Sequence, residues 1–155
     1  MNVDLKVVQI NPTVGDIQGN THKIIDSIPD SRECLIVTPE LSVVGYPPQD
    51  LVYRNELYKA QNKSFEEISD ALSSNQMIVV GAVRKENSFL YNSALVIDEN
   101  GIQHEYRKQL LPTYDVFDEC RYFRSGDEDV VFEYDGYTIG LTICEDAWFD
   151  AKPEG

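Results

Sequence analysis

Across 155 residues the sequence holds only two histidines, two methionines, one tryptophan and three cysteines, and its 13 basic side chains are outnumbered by 27 acidic ones. Each shortage removes a class of function. A formal charge of −14 leaves few of the clustered Lys and Arg needed to hold phosphate backbones or anionic lipid. Neither nucleic acid nor a membrane is expected as a partner. No apolar run approaches the roughly 20 residues that span a bilayer. The start, MNVDLKVVQI, lacks the basic and apolar regions of a signal peptide. A cytoplasmic location is expected. Cys34, Cys120 and Cys144 are odd in number and widely spaced, so they signal neither a disulfide framework nor a CxxC redox or metal site. With 42% apolar residues, the chain can bury the core of about one domain.

The apolar pattern predicts an α/β order. Leu5 to Ile10 reads as a strand broken by Asn11-Pro12 and Val14-Gly15-Asp16. Asn20 or Thr21 is expected to cap a short helix through Ile28, followed by a buried strand from Cys34 to Val37. Helical spacing of Leu51, Leu57, Tyr58, Phe65, Ile68 and Leu72 predicts a long amphipathic helix from Gln49 to Leu72, with a break near Asn62. Met77 to Val83 and Leu90 to Ile97 read as strands. A turn at Asp98 to Gly101 leads to another strand reaching Tyr106. Val130 to Tyr134, Asp135-Gly136 and Tyr137 to Ile143 read as a further hairpin. The stretch from Leu111 to Asp129 is the longest irregular connection, and Ala151 to Gly155 closes the sequence without a helix. Long loops inside compact domains are more often functional than accidental.

Three of these strands lead into reactive side chains: LIVTPE into Glu40, QHEYRK into Lys108 and TIGLTIC into Cys144. Strand carboxyl ends are where α/β sheets usually build their sites. Singly, each residue has a plain explanation. Free cysteine usually packs as a small hydrophobe, and Glu and Lys usually sit in solvent. Jointly they suit one chemistry. A thiol is mostly protonated at neutral pH and needs a base before it can attack a carbonyl. Histidine is the usual base, but His22 falls in a predicted helix and His104 in a predicted strand. Glu40 could instead take the thiol proton and return it to a leaving amine. Lys108 would then face the oxygen on which charge develops, with the backbone N–H of Glu145 as second donor.

The stretches TPELSVVGYPPQDL (38–51), YRKQLLPTYDVFDECRYF (106–123) and GLTICEDAW (140–148) resemble the nitrilase, or carbon–nitrogen hydrolase, superfamily. Within it they are most similar to the glutaminase domains of glutamine-dependent NAD⁺ synthetases. VVQINPTVGDIQGN (7–20) and YNSALVI (91–97) extend the likeness over nearly the whole chain. The resemblance implies a four-layer α-β-β-α sandwich, of which this chain would hold the N-terminal part. It implies Cys144 as nucleophile, Glu40 as general base and Lys108 as oxyanion stabiliser. Glu119 would be a second glutamate orienting the lysine and the substrate amide, with Tyr46 and Tyr114 lining the glutamine pocket.

The implied reaction is hydrolysis of the L-glutamine side-chain amide through a thioester. No metal or organic cofactor is implied for this domain. Deamido-NAD⁺, ATP and Mg²⁺ would belong to a carboxy-terminal synthetase domain absent from residues 1–155, and a homo-oligomer is expected of the full-length enzyme. Family domains continue well past the nucleophile, whereas this sequence ends eleven residues after Cys144. A partial domain is therefore expected. A stand-alone amidase acting on another small amide and a non-catalytic assembly domain remain as alternatives. The combination of GYPPQDL with LPTYDVFDE weighs against the former, and retention of all three reactive residue types weighs against the latter.

Overall fold

The computed structural model describes residues 3–30 and 33–148. Five strands form one sheet in chain order: β1 (Leu5–Val7), β2 (Cys34–Val37), β3 (Gln76–Glu86), β4 (Phe89–Asp98) and β5 (Gly101–Arg107). The first three are parallel, which requires crossovers, and the helices α1 (Ile17–Ile25) and α2 (Asn55–Ala71) lie in those crossovers. The rest of the sheet is antiparallel, with Asn87 at φ 54° in the β3–β4 turn and Gly101 at φ 106° entering β5.

Alternation along the strands divides the core in two. Ile36, Ile78, Val80, Ala82, Leu95 and Ile97 face the helices and pack with Ile24, Phe65 and Ile68. Leu35, Val79, Ala94, Val96 and Tyr106 face the other way, onto a hairpin of β6 (Val131–Tyr134) and β7 (Tyr137–Gly140) that supplies Phe132 and Tyr134. Helix layer, sheet and hairpin are thus three successive layers of an α/β fold. Among the described residues no helix is long and apolar enough to cross a membrane.

Several boundaries differ from those the sequence suggests, among them the end of α1, which falls at Ile25 and not Ile28. Helix α1 starts before Asn20, because Asp16 caps it by accepting from Gly19 N at 3.0 Å. Asn20 is instead buried within the helix and bonds Thr13 and Val43 O, tying α1 to two loops. The second helical region breaks at Arg54, not near Asn62. A 3-10 helix runs from Gln49 to Tyr53, Arg54 turns extended (φ −85°, ψ 124°), and α2 continues unbroken past Asn62. Strand β1 stops at Val7 and β7 at Gly140. The closing stretch from Ala151 to Gly155 lies outside the described residues.

One close approach positions the loop after β2. A methyl group on Gly81 of β3 would lie 2.3 Å from Leu41 N and 2.6 Å from Pro39 O. Only a bare strand lets the segment 38–41 lie against the sheet. Val43 N donates to Gly81 O at 3.1 Å and fixes it there.

Candidate active site

The loop laid across Gly81 carries Glu40. Thr38 N donates to Val79 O at 3.0 Å, and Leu41 beyond Glu40 is fully buried at φ 48°. Glu40 thus emerges from an anchored loop with its side chain 22% exposed. Lys108 directly follows β5, where its N–H donates to Asn92 O at 2.8 Å and its carbonyl accepts from Gly126 N at 2.9 Å. Its side chain has no exposure at all. Burying an ammonium is costly unless opposite charge surrounds it, and two carboxylates do so. Lys108 Nζ donates to Glu40 Oε1 at 2.7 Å and to Glu119 Oε1 at 2.9 Å.

Glu119 opens a short 3-10 turn in the long irregular connection, where its own N–H donates to Pro112 O at 3.1 Å. Its Oε1 also accepts from the Tyr46 hydroxyl at 2.9 Å. Oε2 is buried and without a partner among the described residues. Burial pushes the Glu119 carboxyl up, and Lys108 offsets that only in part. For Lys108, burial acts downward, but Glu40 and Glu119 outweigh it and hold the ammonium above its ordinary value. Burial and the same glutamate push the Tyr46 hydroxyl well up, so it remains a donor.

Asn92, buried in β4, is a member of the site that the sequence reading passed over. Its Nδ2 donates to Glu40 Oε1 at 2.6 Å, the same oxygen that accepts from Lys108. One oxygen of Glu40 is therefore held by two donors. Its only signal in the sequence is a lone amide inside the apolar run YNSALVI.

Cys144 opens a 3-10 turn through Trp148 and has φ 47°, a region that non-glycine residues rarely adopt. Holding it there costs about 1–3 kcal/mol, which surrounding contacts must offset. The turn leaves the thiol exposed. Burial and the Glu40 and Glu119 carboxylates raise the thiol above its ordinary value, while Lys108 and the Glu145 N–H act downward. The resting group is thus a thiol that needs a base. Cys34, by contrast, is buried in β2, and Cys120 is exposed with its sulfur 3.5 Å from Leu111 O.

Glu40, Lys108, Glu119 and Cys144 therefore interact within one site, which Tyr46 joins through Glu119. Tyr114 and the Glu145 side chain stand at its margin, where the Tyr114 hydroxyl donates to Glu145 Oε2 at 2.7 Å and the tyrosine ring is 52% exposed. Glu40 and Cys144 line a cavity of about 390 Å³ between the sheet and the β7–Cys144 segment. Tyr46 and Glu119 line a smaller one of about 190 Å³. The histidines are engaged elsewhere: His22 with Gln18 at 3.2 Å, and His104 stacked 5.7 Å from the Phe132 ring.

The electrostatics give an expected result with a definite sign. Alkylation of Cys144 by iodoacetamide, followed by peptide mass spectrometry, should show an inflection above that of an ordinary thiol. Glu40→Gln removes a charge that raises the thiol, so it should move the inflection to lower pH. An upward shift would mean that Glu40 does not act on the sulfur.

The carbon–nitrogen hydrolase family profile matches residues 5–152. The glutamine-dependent NAD⁺ synthetase of Aquifex aeolicus is 38% identical over 155 residues, which are 99% of this chain and 27% of that protein. The structure of the glutamine-dependent NAD⁺ synthetase from Acinetobacter baumannii superposes with a TM-score of 0.85 at 39% identity, covering 93% of this chain and 28% of that one. An amidase from Nesterenkonia sp. shares the fold, with a TM-score of 0.78 at 22% identity over 95% of this chain and 57% of its own. The chain spans about a quarter of the length of the synthetases it matches. On a profile match over nearly its whole length, the chain belongs to the carbon–nitrogen hydrolase family.

Proposed function

We propose that this chain is the glutamine-hydrolysing part of a glutamine-dependent NAD⁺ synthetase and delivers ammonia from L-glutamine. The reading rests chiefly on one observation: a fully buried lysine is bonded to two glutamates beside an exposed cysteine at positive φ. The likeness to the synthetases of Aquifex aeolicus and Acinetobacter baumannii supplies the substrate. Deamido-NAD⁺, ATP and Mg²⁺ would be handled by a separate carboxy-terminal domain, in the cytoplasm.

The proposed chemistry follows from the charges. Glu40 takes the Cys144 proton as the sulfur attacks the amide carbon. Negative charge moves onto the carbonyl oxygen, where Lys108 Nζ and the Glu145 N–H receive it, and a donor of this kind contributes roughly 10²- to 10³-fold. The C–N bond then breaks, and ammonia leaves with the proton that Glu40 returns. Glu40 next removes a proton from water, which attacks the thioester. Glutamate forms and the thiol is restored. Glu119 Oε2, buried and unpartnered, suits an N–H donor such as the substrate amide.

Rapid quenching of the full-length protein with L-glutamine tests this. Ammonia should form, with a transient glutamyl adduct on the peptide containing Cys144. Ammonia release from some other small amide but not from glutamine would favour the stand-alone amidase. No release and no adduct would leave the assembly role.

A further inference from the structure

Asp146 lies two residues past Cys144 and accepts four hydrogen bonds. Its Oδ1 takes the backbone N–H of Gln109 at 3.2 Å and of Leu110 at 2.8 Å. Its Oδ2 takes the Tyr106 hydroxyl at 2.7 Å and the Ile143 N–H at 3.1 Å. Only the last bond lies within its own turn. The other three donors come from residues 106, 109 and 110, which bracket Lys108.

An ordinary turn carboxylate would serve its own turn alone. This one links the residue before the thiol to the backbone that follows the lysine and to the Tyr106 side chain that precedes it. Hydrogen bonds to a carboxylate are roughly twice as strong as neutral ones, and four on one group leave it little freedom. Burial and Asp146 push the Tyr106 hydroxyl well above the ordinary tyrosine range, so it stays a donor.

We propose that Asp146 is a positioning residue that fixes the thiol of Cys144 against the ammonium of Lys108. The inference rests on the roles assigned above to those two residues. Among the described residues Asp146 bonds neither the Cys144 sulfur nor Lys108 Nζ; it acts by holding the segments that carry them in one register. It also accounts for how Cys144 is kept at positive φ, since the Ile143 N–H is tied down immediately before it.

Asp146→Asn tests this in the full-length protein, because an amide offers a single acceptor oxygen where the carboxylate offers two. Two of the four donors lose their acceptor. Displacement of a reacting group by about 1 Å can cost on the order of 10²-fold, and a fall of that size in kcat for glutamine is expected. KM should stay within about twofold, since uniform binding is not removed. The inflection for Cys144 alkylation should move to lower pH, toward that of an ordinary thiol, because a displaced thiol leaves the burial and the Glu40 and Glu119 carboxylates that together outweigh Lys108.

Tyr106→Phe removes one donor and should shift the inflection the same way by less. A parent-like alkylation profile in Asp146→Asn would overturn the proposal whatever the substrate. Should that variant fail to fold, an unshifted profile in Tyr106→Phe would overturn it. Alkylation needs no glutamine, so failure of the parent to hydrolyse glutamine would strike at the functional reading and leave the positioning test intact.

Discussion

Cys144→Ala is expected to lower ammonia release from L-glutamine by about 10⁴-fold or more, the scale on which loss of a covalent nucleophile acts. If the proposed function holds, the full-length protein carrying this substitution should still form NAD⁺ from deamido-NAD⁺ and free ammonium in a coupled assay. A variant that still used glutamine at the parent rate would remove Cys144 from the chemistry. Stability should hardly change, since the side chain is exposed and surface substitutions usually stay within about 0.5 kcal/mol. Alanine at φ 47° carries the same backbone penalty as cysteine. Cys144→Gly should therefore melt higher than Cys144→Ala while being equally inactive, because glycine adopts positive φ without that penalty. Equal melting temperatures would mean that the turn relaxes once the sulfur is gone.

Lys108→Met should harm both fold and activity, by separable mechanisms. Removing one partner of a buried ion pair typically costs about 3–5 kcal/mol. Here it would strand Glu119, whose side chain is 4% exposed and whose Oε2 already lacks a partner. Glutamine hydrolysis should fall by roughly 10²- to 10³-fold with loss of the oxyanion cation. The double variant Lys108→Met, Glu119→Gln discharges the stranded group and should recover most of the stability. Activity should not return, because the cation is still missing. Recovery of both would show that Lys108 serves only to neutralise Glu119. Chemical denaturation and steady-state ammonia assays on the three proteins distinguish these outcomes.

Much of this site was legible in the sequence because its parts lie at strand ends. Lys108 follows β5 directly, Glu40 follows β2 by three residues, and Glu119 sits in the long irregular stretch. Short apolar runs bounded by turn signals made β2 to β5 readable. Less visible were roles set by tertiary contacts. Asn20 reads as a cap by residue type, yet its amide is used between loops while Asp16 caps the helix. Asn92 looks like one more strand residue until its amide is seen on Glu40. Asp146 reads as a charge beside the thiol, and nothing in its neighbourhood announces three donors that lie 36 to 40 residues earlier in the chain. Backbone torsion was equally hidden, since Cys144 belongs to a residue type that seldom sits at positive φ.

Gly81 shows where the molecule has accepted a weaker strand. In the interior of a strand glycine is worse than alanine by roughly 0.5–1 kcal/mol. An added methyl here would collide with Leu41 N and Pro39 O, and forcing an extra carbon into packed space costs about 1–3 kcal/mol. The larger penalty decides the residue. A redesign of β3 for strand propensity alone would choose valine at 81 and score it as an improvement. It would lift Glu40 away from Lys108, so the gain in sheet-forming tendency would be recorded elsewhere as a lost base.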